Sequence, residues 1–162
     1  IAEESSLTTA AVHYHFDTKA DLLAAFLEWS IERFERRLAD PDDPGARLAT
    51  VLETAFAPPE AGDFAVAMME LKAQAPYEDR YREQFRRLDD LLNEFVREAV
   101  REGIDAGQFE ACDPESVARL VVTLIEGGHV RGVALGEDSA ATRAVVERVL
   151  DRRLGWRPEG SA

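Results

Sequence analysis

The chain has 162 residues, 46% hydrophobic and 31% charged, with 32 acidic against 19 basic side chains and a formal net charge of −13. Such a hydrophobic share supports a sizeable packed core in one or two domains and excludes a disordered chain. The acidity argues against non-specific nucleic-acid binding by the body as a whole. No run is apolar enough to span a membrane, and one cysteine, Cys112, excludes an internal disulfide framework and fits a reducing cytoplasm.

The predicted elements are all helical. At the N-terminus, Ile1 to Ser6 leads into the polar turn Ser5-Ser6-Leu7-Thr8. A compact helix-forming stretch, Thr9 to Phe16, follows and ends at Asp17-Thr18. A long amphipathic helix spans Lys19 to Leu38, with Leu22, Leu23, Phe26, Leu27, Ile31 and Phe34 on one face and Thr18 with Asp21 as a capping-box-like start. Short helix, turn, short helix, long helix is how a helix-turn-helix joins the body of a DNA-binding regulator.

Downstream, Pro41 and Pro44 force a break, a helix runs from Ala46 to Ala57, and another from Asp63 to Ala75. The longest helix is expected over Glu78 to Asp105, with Tyr81, Phe85, Leu88, Leu92, Phe95 and Ala99 as its inward stripe. Asp113 as N-cap and Pro114 at the first helical position open a helix that runs towards Gly127-Gly128 and Leu135. A last helix covers Ala140 to Leu154, and the tail from Gly155 is expected to be loose. The apolar faces of these last two helices can complete the internal core or form half of a four-helix bundle across a two-fold axis.

Within Thr9 to Phe16, Val12 and Phe16 lie four apart and anchor the helix inward. Thr8, Thr9, Ala10, His13, Tyr14 and Lys19 are left as candidates for the DNA-facing side. The threonines can cap the helix and expose N–H groups to phosphate. His13 and His15, two apart on a helix, point to different sides and cannot chelate together.

These residues carry a family resemblance. The segment IAEESSLTTAAVHYHFDTKADLLAAFLEW resembles the helix-turn-helix of the tetracycline-repressor (TetR) family of transcriptional regulators. Ile1 and Ala2 match its opening, and Phe16, Thr18, Lys19 and Leu22 its closing pattern; His13 stands where the family usually has tyrosine. The segments REGIDAGQF, DPES and IEGG resemble the C-terminal part of many members more loosely.

The resemblance implies an all-α chain. Residues 1–18 would be a partial helix-turn-helix whose first helix lies upstream, 19–155 a ligand-binding and dimerisation domain, and 156–162 a flexible tail. It implies a cytoplasmic homodimer that binds double-stranded operator DNA and is released by a small apolar or amphipathic effector. Phe56, Phe64, Met68, Glu70, Leu71, Phe85, Leu88, Leu92 and Phe95 are the pocket candidates, because aromatics, leucine and methionine make an adaptable apolar wall. Glu126 and His129 could add polar contacts. Leu120, Leu124, Gly128, Val145 and Val149 are expected at the dimer interface. No nucleophile with a base, no phosphate loop and no metal-ligand cluster stands out, so neither enzyme activity nor a metal or other cofactor is expected. A helical ligand-binding module without specific DNA binding is the alternative. The lysine-poor, arginine-rich acidity suits either a salt-adapted host or a high-GC genome.

Overall fold

The computed structural model describes residue 16 and residues 18–38, 41–57 and 62–158, and all regular secondary structure among them is helical. The recognition helix expected over Thr9 to Phe16 lies outside the described residues but for Phe16.

Helix α1 spans Lys19–Arg37. Its capping box forms in both directions: the Asp21 N–H donates to Thr18 Oγ1 at 3.1 Å, and the Thr18 N–H donates to Asp21 Oδ2 at 2.9 Å. Leu27 and Ile31 are buried one turn apart. Ser30 is buried between them without cost, because its hydroxyl donates to the Phe26 carbonyl at 2.7 Å.

Helix α2 spans Pro44–Ala55 and begins two residues earlier than the sequence suggests. Asp43 supplies the cap, accepting from the Ala46 N–H at 2.7 Å, so Pro44 starts the helix where its missing N–H is not needed. Helices α3, Gly62–Gln74, and α4, Asp79–Asp105, follow, the latter capped by Glu78. Helix α5, Pro114–Leu135, runs uninterrupted through the glycine pair and stops at Gly136, whose φ of 65° supplies the left-handed C-cap. Helix α6 spans Ser139–Leu154.

Two apolar clusters hold these helices. The larger joins α2, the C-terminal two-thirds of α4, α5 and α6 through Leu48, Leu52, Val96, Val100, Val121, Ile125, Val146 and Leu150. The smaller joins α1, α3 and the start of α4 through Leu27, Ile31, Leu71, Ala75 and Tyr81. Leu88 packs against both. Helix α1 therefore rests mainly on the smaller core, while Phe34 and Leu38 at its C-terminal end join the larger one.

The segment after α6 departs from expectation. Trp156 is buried in the larger cluster and its Nε1–H donates to the Gly45 carbonyl at 3.1 Å. Arg157 adds an ion pair to Asp151 at 2.9 Å. A large ring with one polar edge fits a slot that is apolar inside and offers one acceptor, the helix start at Gly45. The tail is thus anchored at its first residues rather than loose; residues 159–162 lie outside the described part.

Candidate functional site

The nine pocket candidates divide between the two apolar clusters and the surface. Met68, Leu71 and Phe85 gather at the small core, with Leu88 at its junction with the large one. Phe56, Leu92 and Phe95 belong to the large core. Phe64 is exposed and packs in a T-shape with Phe26, with centroids 6.0 Å apart, and Glu70 is exposed. Shallow charged grooves lie elsewhere: along α4 between Asp79, Arg82, Arg86 and Asp90, and between Phe16, α1 and α4.

His129 has a structural role. Its Nε2–H donates to the Ala55 carbonyl at 2.7 Å, which satisfies the C-terminal end of α2 and fixes the proton on that nitrogen, and its ring lies beside Phe56.

Beside the small core, three helices bring charge to one aromatic ring. Lys72 of α3 forms an ion pair with Glu126 of α5, and its Nζ sits 5.4 Å from the centre of the Phe85 ring on α4. Asp89, one turn beyond Phe85, has its carboxyl held above the usual range, by burial first and then by the negative charges of Glu126 and Asp90, against Arg119 and Lys72. Such a group of aromatic face and carboxylates can hold a cation. Phe85 and Glu126 were legible in the sequence. Lys72 and Asp89 were not, since each reads as an ordinary solvated charge; the available signal was that Lys72 is one of two lysines in an arginine-rich chain.

At the other end, the expected interface residues divide. Gly128 is buried inside the chain: a Cβ there would lie 2.9 Å from Thr142 Cγ2 and 3.1 Å from Phe56 Cε1. Its close approach is between α5, α6 and Phe56, not towards a second chain, and this corrects its assignment to the interface. Leu120 and Val145 are exposed, and Leu124 and Val149 half-buried. Val130 and Leu135, which sequence reasoning passed over, are 45% and 62% exposed. Leu120, Leu124, Gly127 and Val130 recur at spacings of four and three, one stripe along α5.

Of the DNA-facing candidates, Thr8, Thr9, Ala10, His13 and Tyr14 lie outside the described residues; Lys19 is exposed at the first position of α1. The start of α1 is tied to that of α4. Arg80 pairs with Asp21 of the capping box and, through Nε at 3.0 Å, with Glu78, the N-cap of α4.

Among the described residues, no helix is long and apolar enough to cross a membrane. A search of curated proteins finds no match. Residues 44–155 match the family described as BetI-type transcriptional repressor, C-terminal. The crystal structure of a TetR transcription regulator from Haloarcula marismortui is 37% identical over 91% of this chain and 85% of that one, with a TM-score of 0.85. A putative transcriptional regulator from Saccharomonospora viridis, crystallised in complex with choline, shares the fold at 21% identity, covering 94% of this chain and 83% of that one, with a TM-score of 0.82. A putative TetR-family regulator from Rhodococcus sp. does so at 23% identity, over 93% and 83%, with a TM-score of 0.74. The chain belongs to the TetR family of transcriptional regulators.

Proposed function

We propose that the protein is a homodimeric repressor that leaves its operator in the cytoplasm when a small amphipathic effector binds beside the small core. The observation that carries this reading is the division of the core. Helix α1, which continues from the recognition segment, packs most of its length on Leu71, Ala75 and Tyr81 and meets the cluster that joins α5 and α6 at its far end, through Phe34 and Leu38. A ligand lodged among α1, α3 and α4 can then change the inclination of α1 while the larger core stays packed.

Met68, Leu71, Phe85 and Leu88 are the apolar contacts of that ligand; Phe56, Leu92 and Phe95 back them from the larger core. The Saccharomonospora viridis relative was crystallised with choline, and the Lys72, Phe85, Glu126 and Asp89 group supports a cationic head on the effector of this chain. The partly exposed stripe of Leu120, Leu124 and Val130 with Val145 and Val149 of α6 supports association across a two-fold axis. In such a dimer the two recognition helices would enter successive major grooves about 34–36 Å apart, with Thr8, Thr9, Ala10, His13, Tyr14 and Lys19 facing the DNA. The effector can shift the equilibrium only by its differential affinity for the bound and released forms.

A gel-shift with the DNA upstream of the protein's own gene tests the reading. A site-specific shift that choline or a similar amphiphile reverses is the expected result, and absence of any site-specific shift at near-native salt would sink it.

A further inference from the structure

We infer that Lys72 is a built-in occupant of a cation site, and that a small alkylammonium head binds over Phe85 by displacing it. This rests on the effector reading above and names the residue that sets affinity within it. The Lys72 ammonium already makes both contacts that an organic cation would seek, the Phe85 ring face and the Glu126 carboxylate.

Displacement is favoured by the relative hydration of the two cations. A lysine ammonium is strongly hydrated, and an exposed ion pair holds it only weakly. Both Lys72 and Glu126 are close to half exposed, so the released lysine head returns to water without strain. A quaternary ammonium is poorly hydrated and gains more from an aromatic face. An arginine at this position would grip Glu126 through two parallel hydrogen bonds and vacate the site less readily.

The local charge balance points the same way. Glu126 pairs with Lys72, and Asp89 feels the charges of Glu126, Lys72 and Arg119, so two carboxylates against one guanidinium leave the site net negative when Lys72 swings out. The Met68 and Leu88 side chains, packed on the same small core as Phe85, offer apolar surface to the alkyl groups. The Lys72–Glu126 pair also bridges α3 to α5, so its opening frees one wall of the core on which α1 rests.

The test is calorimetric titration of the protein, without DNA, with tetramethylammonium, choline and the neutral carbon isostere of choline. Lys72→Met keeps the apolar stem and removes the competing charge; it should bind both cations about three- to tenfold more tightly. Glu126→Gln and Phe85→Leu should each weaken them about tenfold, and the neutral isostere should not compete. Arg101→Met, which makes the same change in net charge on an exposed part of α4, should leave affinity unchanged. Lys72→Gln repeats the measurement should the methionine variant not fold. Unchanged or weaker cation binding in the folded Lys72 variants, equal tightening in Arg101→Met, equal binding of the isostere, or no cation binding in any variant would each overturn the inference. Because the readout involves no DNA, a protein that binds cations but never shifts an operator would refute the repressor reading alone.

Discussion

Arg80 on α4 pairs with Asp21, the carboxylate that completes the capping box at the start of α1. One side chain thus serves two helices, and Arg80 also holds Glu78, the cap of α4. The start of α1 is therefore fixed against the helix that carries Phe85 and Asp89. Thr18 is the residue on which this junction depends: its hydrogen bond, ahead of the Arg80 charge, holds the Asp21 carboxyl below the usual range. Thr18→Ala should lower stability by about 1 kcal/mol, the ordinary loss for an N-cap, read as a fall in the thermal midpoint at neutral pH. A depressed folded pKa gives stability that is present above the unfolded value and lost as pH falls through the folded one. The part of the gap that comes from the Thr18 hydroxyl donating to the Asp21 carboxylate should accordingly be lost in acid, below about pH 4, while the part from the cap on the Asp21 N–H persists; a gap wholly independent of pH would count against the carboxylate bond.

Asp89 predicts the opposite pH dependence. Its carboxyl is held above the usual range, chiefly by burial, so the charged form is disfavoured in the folded protein. Its favourable contribution is complete below the unfolded pKa and is lost as pH rises through the folded one. Asp89→Asn should therefore raise the thermal midpoint at pH 7 and bring no gain at about pH 3. The Asn93 amide, which donates to Asp89 Oδ2 at 3.1 Å, keeps an acceptor in this variant.

The helices themselves were largely legible, because period and caps agree along this chain. Asp113-Pro114 and Thr18-x-x-Asp21 each mark a helix start that the structure shows. The start of α2 was misplaced because Pro44 reads as a breaker until Asp43 is recognised as its cap. Tertiary pairings left no such trace. Nothing near Trp156 announces that Gly45, more than a hundred positions away, accepts its N–H. Nor does a run of apolar helical stripes reveal that the core divides in two, or that Phe64 stays at the surface while Phe56 is enclosed. Lys72 was invisible for the same reason, since its meaning comes from Phe85 and Glu126 on two other helices.

Gly128 is the sharpest packing constraint on α5. Glycine to alanine inside a helix ordinarily adds about 1 kcal/mol of stability. Here the new methyl meets Thr142 Cγ2 at 2.9 Å and Phe56 Cε1 at 3.1 Å, so overpacking should outweigh that gain and Gly128→Ala should lose about 1–3 kcal/mol. Thr142→Ser removes the nearer methyl, and the double variant should recover part of the loss. Additive effects in a double-mutant cycle would show that the strain lies elsewhere.

The stripe on α5 and α6 makes a prediction separable from folding. Leu120 and Val145 are exposed in the single chain, so Leu120→Glu with Val145→Glu should leave its helical content and thermal unfolding cooperative. Carboxylates facing their own copies across a two-fold axis would repel, so sedimentation should give a monomer where the wild type gives a dimer. A pair of variants that still sediments as a dimer would place the association face elsewhere.

Salt should stabilise the protein, although surface ion pairs are numerous. Each pair, such as Arg87–Glu35 or Arg143–Glu147, is weakened by screening, but exposed pairs contribute little to begin with. Against them stands a net charge of −13 on 162 residues, whose self-repulsion acts on the compact state as a whole. Raising KCl from about 0.1 M to about 1 M shortens the screening length from about 10 Å to about 3 Å, within which most of the excess carboxylates no longer repel one another. The thermal midpoint should rise steadily over that range. The rise should also persist in the Glu126→Gln variant, since the effect belongs to the whole surface and not to one site. A midpoint that falls with KCl would show that the ion pairs dominate, and would remove the physical case for a salt-adapted protein.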